Sequence, residues 1–235
     1  MRNIPNNFKR FYYWMIDLIA PPSCTICGQV ETWLCEDCAP QIRLLTGVIC
    51  QRCGKLWDQS DICPACHHTP LKVAPVRSAF RYDDTIRHII HALKYRGATE
   101  LVTTLSPQLH NSWQQYNLPS DMLVPVPLHP TRERKRGYNQ SHIIAQTLST
   151  LCHIPIHSAL MRIRNTASQT QLNKQQRQKN VNAAFAHVPD ITVAHKHITL
   201  VDDVATTGAT LDACATVLLN NGAKSVNAFT LARAT

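Results

Sequence analysis

The fold of this chain is decided by residues 198–210, which read ITLVDDVATTGAT. Four residues, most of them β-branched, run into two adjacent carboxylates, and a short hydroxyl-rich loop with one glycine follows. The first part predicts a buried strand, and apolar residues at helical spacing from Leu211 to Leu219 predict a helix that Gly222 ends. This order indicates an α/β fold with a mostly parallel sheet, in which ligands bind at the carboxyl edge.

The loop of this stretch has the chemistry of a phosphate site. Residues 206–210 offer consecutive backbone N–H groups, hydroxyls and the positive end of the next helix, and Gly208 lets the backbone approach closely. Asp202 and Asp203 would repel a phosphate, but they suit a vicinal diol or a divalent cation that bridges to one. The pattern predicts a ribose 5-phosphate ligand, and capping aspartates before an ordinary turn are the alternative.

The same residues resemble the motif with which type I phosphoribosyltransferases bind 5-phosphoribosyl 1-pyrophosphate (PRPP). The resemblance implies that the two aspartates hold the ribose hydroxyls, that the loop wraps the 5-phosphate and that Mg²⁺ accompanies PRPP. The residues implied in PRPP binding are Asp202, Asp203, Ala205, Thr206, Thr207, Gly208, Ala209 and Thr210.

The positive charge of the chain is concentrated in one segment. Of a net +9, residues 124–182 carry +8, and Glu133 is their only acid. Such a segment attracts a polyphosphate or a nucleic-acid backbone. Its loop 132–140, RERKRGYNQ, is expected between a strand over 122–126 and a helix over 141–151. The candidates for binding pyrophosphate or DNA are Arg132, Arg134, Lys135 and Arg136, and a solvated basic loop is the alternative.

Eight of the ten cysteines form four C-x-x-C pairs between residues 24 and 66. In an intracellular chain such pairs favour zinc over disulfides, and two pairs complete one tetrahedral site. We predict two structural zinc ions with sequential pairing, and cross-braced pairing of the first pair with the third is the alternative. The expected ligands are Cys24, Cys27, Cys35 and Cys38 for one ion and Cys50, Cys53, Cys63 and Cys66 for the other.

Composition divides the chain into three parts. Residues 1–20 predict an amphipathic helix, which packs on the protein itself or contacts a membrane surface or a partner. Residues 21–70 form the zinc module, and residues 76–235 form the α/β domain. We expect neither a transmembrane segment nor a cleaved signal peptide, and therefore a cytoplasmic protein. Residues 162–182 are polar and basic. This segment could form a lid, a DNA contact or a solvated loop, and the sequence favours none of the three.

Three further motifs extend the resemblance to a family. The segments LKYRG at 93–97, VPVPLHP at 124–130 and RGYNQ at 136–140, with the cysteine pairs and the loop motif, resemble the ComF family of competence proteins (ComFC or GntX type). The resemblance implies a double zinc ribbon fused to a type I phosphoribosyltransferase fold. It also implies a role in natural transformation, with single-stranded DNA, a phosphoribosyl ligand and DNA-uptake proteins at the inner membrane as partners.

Two functions stay open from the sequence. A DNA-handling protein would use the basic segment with Tyr82, Tyr95 and Tyr138, on which bases could stack. An active phosphoribosyltransferase would use Mg²⁺ and the acid pair to stabilise an oxocarbenium-like ribose. We recognise no segment that reads a nucleobase, and fold analogy alone does not establish catalysis, so no catalytic residue is assigned.

Overall fold

The computed structural model describes residues 21–59, 61–164 and 183–234. The predicted N-terminal helix and most of the polar segment 162–182 lie outside the described residues.

A four-stranded parallel sheet forms the centre of the molecule. The described strands are β1 (Val76–Arg81), β2 (Met122–Pro125), β3 (Leu160–Arg162), β4 (Phe185–His187), β5 (His197–Ala205) and β6 (Ser225–Arg233). The main sheet has the order β1-β6-β5-β2, while β3 and β4 pair antiparallel in a separate small sheet. All neighbours in the main sheet are parallel, so their carboxyl ends meet at one edge.

Helices cover both faces of this sheet. They are α1 (Pro64–His68), α2 (Asp84–Tyr95), α3 (Glu100–Thr104), α4 (Ser106–Tyr116), α5 (Pro130–Arg136), α6 (Gln140–Cys152) and α7 (Ala209–Asn220). Because side chains alternate along a strand, Val201 and Phe229 join a core with α2, α4 and α6, whereas Leu200 and Ala228 join a core with α7. The predicted fold class is confirmed: a mostly parallel sheet flanked by helices, with an N-terminal zinc-ribbon module.

The basic segment contains a helix where we predicted a loop. Pro130 suits the first turn of α5 because its missing N–H is not needed there, and His129 Nδ1 accepts a hydrogen bond from Thr131 N. Gly137, at φ 89°, ends the helix. The alternating signs around Glu133 are compatible with a short helix, so the charge pattern did not distinguish it from a loop.

Local side chains set the bounds of several elements. Asp83 caps α2 by accepting a hydrogen bond from Ile86 N at 3.0 Å. Helices α3 and α4 are separate elements, because Pro107 has no N–H to continue the backbone ladder. Strand β5 extends to Ala205, so the acid pair belongs to the strand itself.

The zinc module consists of two lobes that contact different parts of the α/β domain. In the first lobe, Cys24 and Leu34 share a core with α2, and the Arg96 guanidinium lies 5.2 Å from the centre of the Trp33 ring. In the second lobe, the carbonyl of Arg52 accepts a hydrogen bond from Val76 N at 2.9 Å, at the start of β1. The second lobe is therefore joined directly to the sheet.

A substitution at Gly54 tests how closely the second lobe packs on the sheet. A Cβ there would lie 2.3 Å from the carbonyl oxygen of Val76, and its φ of +67° strains any L side chain. We expect Gly54→Ala to lower the free energy of unfolding by roughly 2 kcal/mol or more, measured by urea denaturation.

The matched control is Gly28→Ala in the first lobe. Gly28 has a similar φ of +83°, but no atom lies within 4 Å of the added Cβ, so we expect only the backbone penalty of about 1 kcal/mol. Equal losses in the two variants would contradict the close packing of the second lobe.

Candidate metal centres and ligand cavity

The eight paired cysteines form two four-sulfur clusters. In each cluster all the sulfur atoms lie within 4.8 Å of one another, and the clusters are Cys24, Cys27, Cys35 and Cys38, and Cys50, Cys53, Cys63 and Cys66. This is the sequential grouping and not the cross-braced one. The Sγ–Sγ distances of 3.6 Å for Cys27–Cys35 and 3.8 Å for Cys53–Cys63 match the edge of about 3.8 Å of a tetrahedron with Zn–S bonds near 2.3 Å. The donor sets fit two structural zinc ions.

The first cysteine of each cluster has an environment that favours a thiolate. Burial raises the pKa of Cys24 and Cys50, but backbone N–H groups around each sulfur outweigh burial and lower the pKa of both to about 6. One of these donors is Cys63 N, 3.3 Å from the Cys50 sulfur. Because zinc binds the thiolate, these donors favour metal binding by the first cysteine of each cluster, whereas burial raises the pKa of Cys35 and Cys63.

A cavity of about 1370 Å³ opens at the carboxyl edge of the sheet. All eight residues that the sequence assigned to PRPP line it, from the acid pair to the start of α7. Gly208 precedes α7 with φ 81°, so the loop turns directly into the positive end of that helix. The other walls come from α5, the end of α2 and the second zinc lobe. The loop of residues 205–208 is called the phosphate loop below.

The four basic residues of the predicted loop do not all face the cavity. Arg132, Lys135 and Arg136 line it, whereas Arg134 is exposed and is not among the lining residues. The short helix α5 explains the difference, since successive residues of a helix point about 100° apart. Arg136 also lies over the ring of Tyr95, 5.4 Å from its centre, and Tyr95 is 63% exposed.

Two residues that sequence reasoning did not assign hold the acid pair. Lys94 Nζ lies 2.7 Å from Asp203 Oδ2, and the Ser141 hydroxyl donates to Asp202 Oδ1 at 2.8 Å. Burial lowers the pKa of Lys94, but the ion pair with Asp203 outweighs it and raises this pKa, so the ammonium stays charged. The LKYRG motif contained the signal for Lys94, whereas nothing in the helical pattern around Ser141 marked it.

The environment of Asp202 favours its protonated form. Burial, together with the neighbouring Asp203, raises the pKa of Asp202 to about 7, although the hydrogen bonds from Ser141 and from Asp203 N oppose this shift. A carboxyl with this pKa changes its charge near neutral pH and ionises more readily when a cation binds beside it.

Two buried arginines complete the cavity, and sequence reasoning assigned neither to the site. Arg162 from β3 stacks on Phe185, with its guanidinium carbon 5.3 Å from the ring centre. Arg233, at the end of β6, lies behind the phosphate loop and donates to the carbonyls of Ala205 and Thr206. Their positive charge makes this end of the cavity favourable for an anion.

Comparisons with known proteins agree with this architecture. A family profile described as "Double zinc ribbon domain" matches residues 15–67. The chain is 32% identical over 228 residues to the DNA utilization protein YhgH of Escherichia coli (strain K12), covering 92% of this chain and 99% of the relative. It is 30% identical over 208 residues to the competence protein ComFC of Bacillus subtilis (strain 168), with 85% and 84% covered. Competence protein F of Haemophilus influenzae is 29% identical over 214 residues, with 86% and 90% covered.

Solved structures that are similar to part of this chain include an amidotransferase and a phosphoribosyltransferase. The glutamine PRPP amidotransferase of B. subtilis is 21% identical, with a TM-score of 0.38 and coverage of 55% of this chain and 26% of that chain. A purine phosphoribosyltransferase from Pyrococcus horikoshii Ot3 is 13% identical, with a TM-score of 0.34 and coverage of 56% of this chain and 82% of that chain.

The helices in the described part of the chain are too short or too polar to cross a lipid bilayer.

The raised pKa of Asp202 predicts a pH-dependent difference between wild type and Asp202→Asn. The carboxyl binds its proton more tightly in the folded state, at a pKa of about 7, than in the unfolded state, at about 3.9. Its stabilising contribution is therefore complete below about pH 4 and is lost as the pH rises through about 7.

The asparagine variant keeps the shape of the side chain but does not titrate. Its free energy of unfolding relative to wild type should rise by roughly 1–3 kcal/mol between about pH 5 and about pH 8, measured by urea denaturation. A difference that is the same at both pH values would show that Asp202 does not titrate in this range.

Proposed function

Because the chain belongs to the ComF family of competence and DNA-utilization proteins, we propose that it handles internalised single-stranded DNA in natural transformation and binds a phosphoribosyl ligand. The observation that carries the proposal is that the phosphate loop, the acid pair and three cations of α5 line one cavity. We place this activity in the cytoplasm, at the inner membrane where the DNA-uptake machinery delivers the strand.

The phosphoribosyl part of the proposal rests on the two ends of the site. At one end, the backbone of residues 205–210, the positive end of α7 and the buried Arg233 favour a phosphate. At the other end, Asp202 and Asp203 offer oxygen acceptors for the ribose hydroxyls. Arg132, Lys135 and Arg136 supply the charge that a pyrophosphate group needs.

Mg²⁺ fits the donors of the acid pair, because both side chains offer carboxylate oxygens and one of them titrates near neutral pH. Bound there with PRPP, the ion would neutralise pyrophosphate charge. Lys94 balances the charge of Asp203, and Ser141 orients Asp202. These two contacts hold the acid pair in position.

The DNA part of the proposal rests on the surface beside the cavity. Arg134 and Lys135 are exposed on α5, and the exposed ring of Tyr95 is stacked against Arg136. Phosphates of a single strand can bind the cations while a base stacks on the tyrosine ring, and neither contact depends on sequence. The adjoining cavity then accepts a phosphoribosyl group next to the bound strand.

The size of the cavity favours a second candidate function, phosphoribosyl transfer. At about 1370 Å³ it exceeds the range of roughly 300–1,000 Å³ that small-molecule pockets occupy, which leaves room for an acceptor beside PRPP. Release of pyrophosphate from PRPP across a panel of free bases separates this candidate from ligand binding alone.

The phosphoribosyl proposal predicts that PRPP with Mg²⁺ binds the full chain and that Asp203→Asn weakens binding tenfold or more. The variant keeps one acceptor oxygen but loses the negative charge that pairs with Lys94 and that would bind Mg²⁺. Isothermal calorimetry measures the affinity. The control Asp190→Asn removes an exposed carboxylate outside the cavity and should not change it. Absence of PRPP binding to the wild type would refute the proposed phosphoribosyl site.

The DNA proposal predicts that binding of an unstructured single strand weakens steeply with salt. Arg134→Ala combined with Arg136→Ala should lower the affinity and reduce the slope of log K against log salt by about 1.4, the value for two lost phosphate contacts. Fluorescence anisotropy measures both quantities.

The matched control removes two exposed cations at the opposite edge of the sheet. Lys196 precedes β5 and Lys224 precedes β6, so the double variant Lys196→Ala, Lys224→Ala has the same net charge as the test variant. It should retain near-wild-type binding. Equal losses in the two double variants would point to net charge alone and not to the α5 surface.

A further inference from the structure

We propose that Arg233 is a positioning residue that couples the second zinc site, formed by Cys50, Cys53, Cys63 and Cys66, to the phosphate loop. Zinc at this site would then determine whether the loop can bind its ligand. The inference rests on the proposed function of the loop as a phosphoribosyl site and adds a condition for it, namely metal in the second lobe.

The guanidinium of Arg233 joins the two sites directly. Only 3% of this residue is exposed, and its Nε donates to the carbonyl of Cys53, a zinc ligand, at 2.9 Å. Its Nη1 donates to the carbonyls of Ala205, at 2.8 Å, and of Thr206, which are the first residues of the phosphate loop. Because the guanidinium is planar and rigid, a displacement of Cys53 is transmitted to the loop.

The charge of Arg233 suits this position. Among the described residues, its acceptors are backbone carbonyls and no carboxylate pairs with it. A zinc ion with four thiolates carries a net charge of −2, and the Cys53 carbonyl belongs to one of its ligands. The guanidinium thus lies between an anionic metal centre and a loop that we propose binds an anion.

A second connection holds the other side of the phosphate loop. Arg52, between Cys50 and Cys53, donates from Nε and Nη2 to the carbonyl of Leu71 at 3.0 and 2.7 Å. The Leu71 side chain packs on Gly208, where a Cβ would come within 2.9 Å of it. The loop is therefore placed between two groups that both depend on the conformation of the Cys50–Cys53 turn.

The segment after Leu71 is also attached to the helix that follows the loop. Asp212 Oδ1, in the first turn of α7, accepts hydrogen bonds from the backbone N–H groups of Lys72 and, at 3.3 Å, of Val73. These contacts fix the start of α7, whose N–H groups would bind the phosphate.

The first zinc site has a different neighbourhood. Cys24, Cys35 and Cys38 pack in the core with α2, and Arg96 at the end of α2 donates to the Ser23 hydroxyl at 2.7 Å. Arg96 is exposed and bonds to a serine hydroxyl, not to a zinc ligand or to the phosphate loop. An Arg→Lys change at Arg96 is therefore a control that alters an arginine of the first lobe without touching the connection made by Arg233.

The experiment measures the affinity of both zinc sites in the full chain by competition with a zinc-selective chelator, with and without PRPP and Mg²⁺. Because coupling between two binding sites is reciprocal, PRPP should raise the zinc affinity of the second site by at least fivefold. The zinc affinity of the first site should not change. Arg233→Lys should retain two zinc ions but lose this effect, while Arg96→Lys should keep it.

A second variant covers the case in which Arg233→Lys does not fold. Cys63→Ser removes one ligand of the second site, and we expect it to weaken PRPP binding at least tenfold in calorimetry. PRPP should then have no effect on the affinity of the remaining zinc.

The outcomes separate this inference from the function on which it rests. If PRPP binds the wild type but leaves both zinc affinities unchanged, or if Cys63→Ser binds PRPP as the wild type does, the coupling is refuted and the phosphoribosyl site stands. Persistence of the zinc effect in folded Arg233→Lys would also refute the role of Arg233. If PRPP does not bind the wild type at all, the proposed site and the coupling fall together.

Discussion

The parallel pairing of β5 with β6 brings the groups of the candidate site to one edge of the sheet. In this register Asp202 lies opposite Thr230 and Ala205 lies opposite Arg233, so both strands end at the same edge of the sheet. The acid pair, the phosphate loop and the buried guanidinium come together there only because both strands run in the same direction. An antiparallel β6 would place Arg233 at the far end of the sheet.

The site that results is a balance of buried charges. Lys94 is paired with Asp203, whereas Asp202 is held by hydrogen bonds and protonates near neutral pH. Burial is costly for each of these groups alone, and it is tolerated because an opposite charge or a hydrogen-bond donor contacts each carboxylate directly.

The zinc module contributes a wall of this cavity as well as a fold of its own. Each lobe is too small to be stable from its hydrophobic contacts alone, so metal binding supplies its folding free energy. The first lobe packs on α2, which carries Lys94, and the second lobe reaches the phosphate loop through Cys53 and Leu71. Metal-dependent folding of the module and the shape of the ligand site are thus connected by short paths through the structure.

Features whose residues are neighbours along the chain could be predicted without the structure. The stretch 198–210 predicted strand, loop and helix, and the C-x-x-C pairs predicted two four-cysteine clusters, because each depends on short spacing. Charge pattern alone did not reveal helix α5, since capping by His129 and Gly137 decided it. Only the tertiary structure brought Lys94, Ser141 and Arg233 to the acid pair and the loop. These residues lie on three separate elements, and packing of those elements, which no local pattern encodes, sets the distances between their side chains.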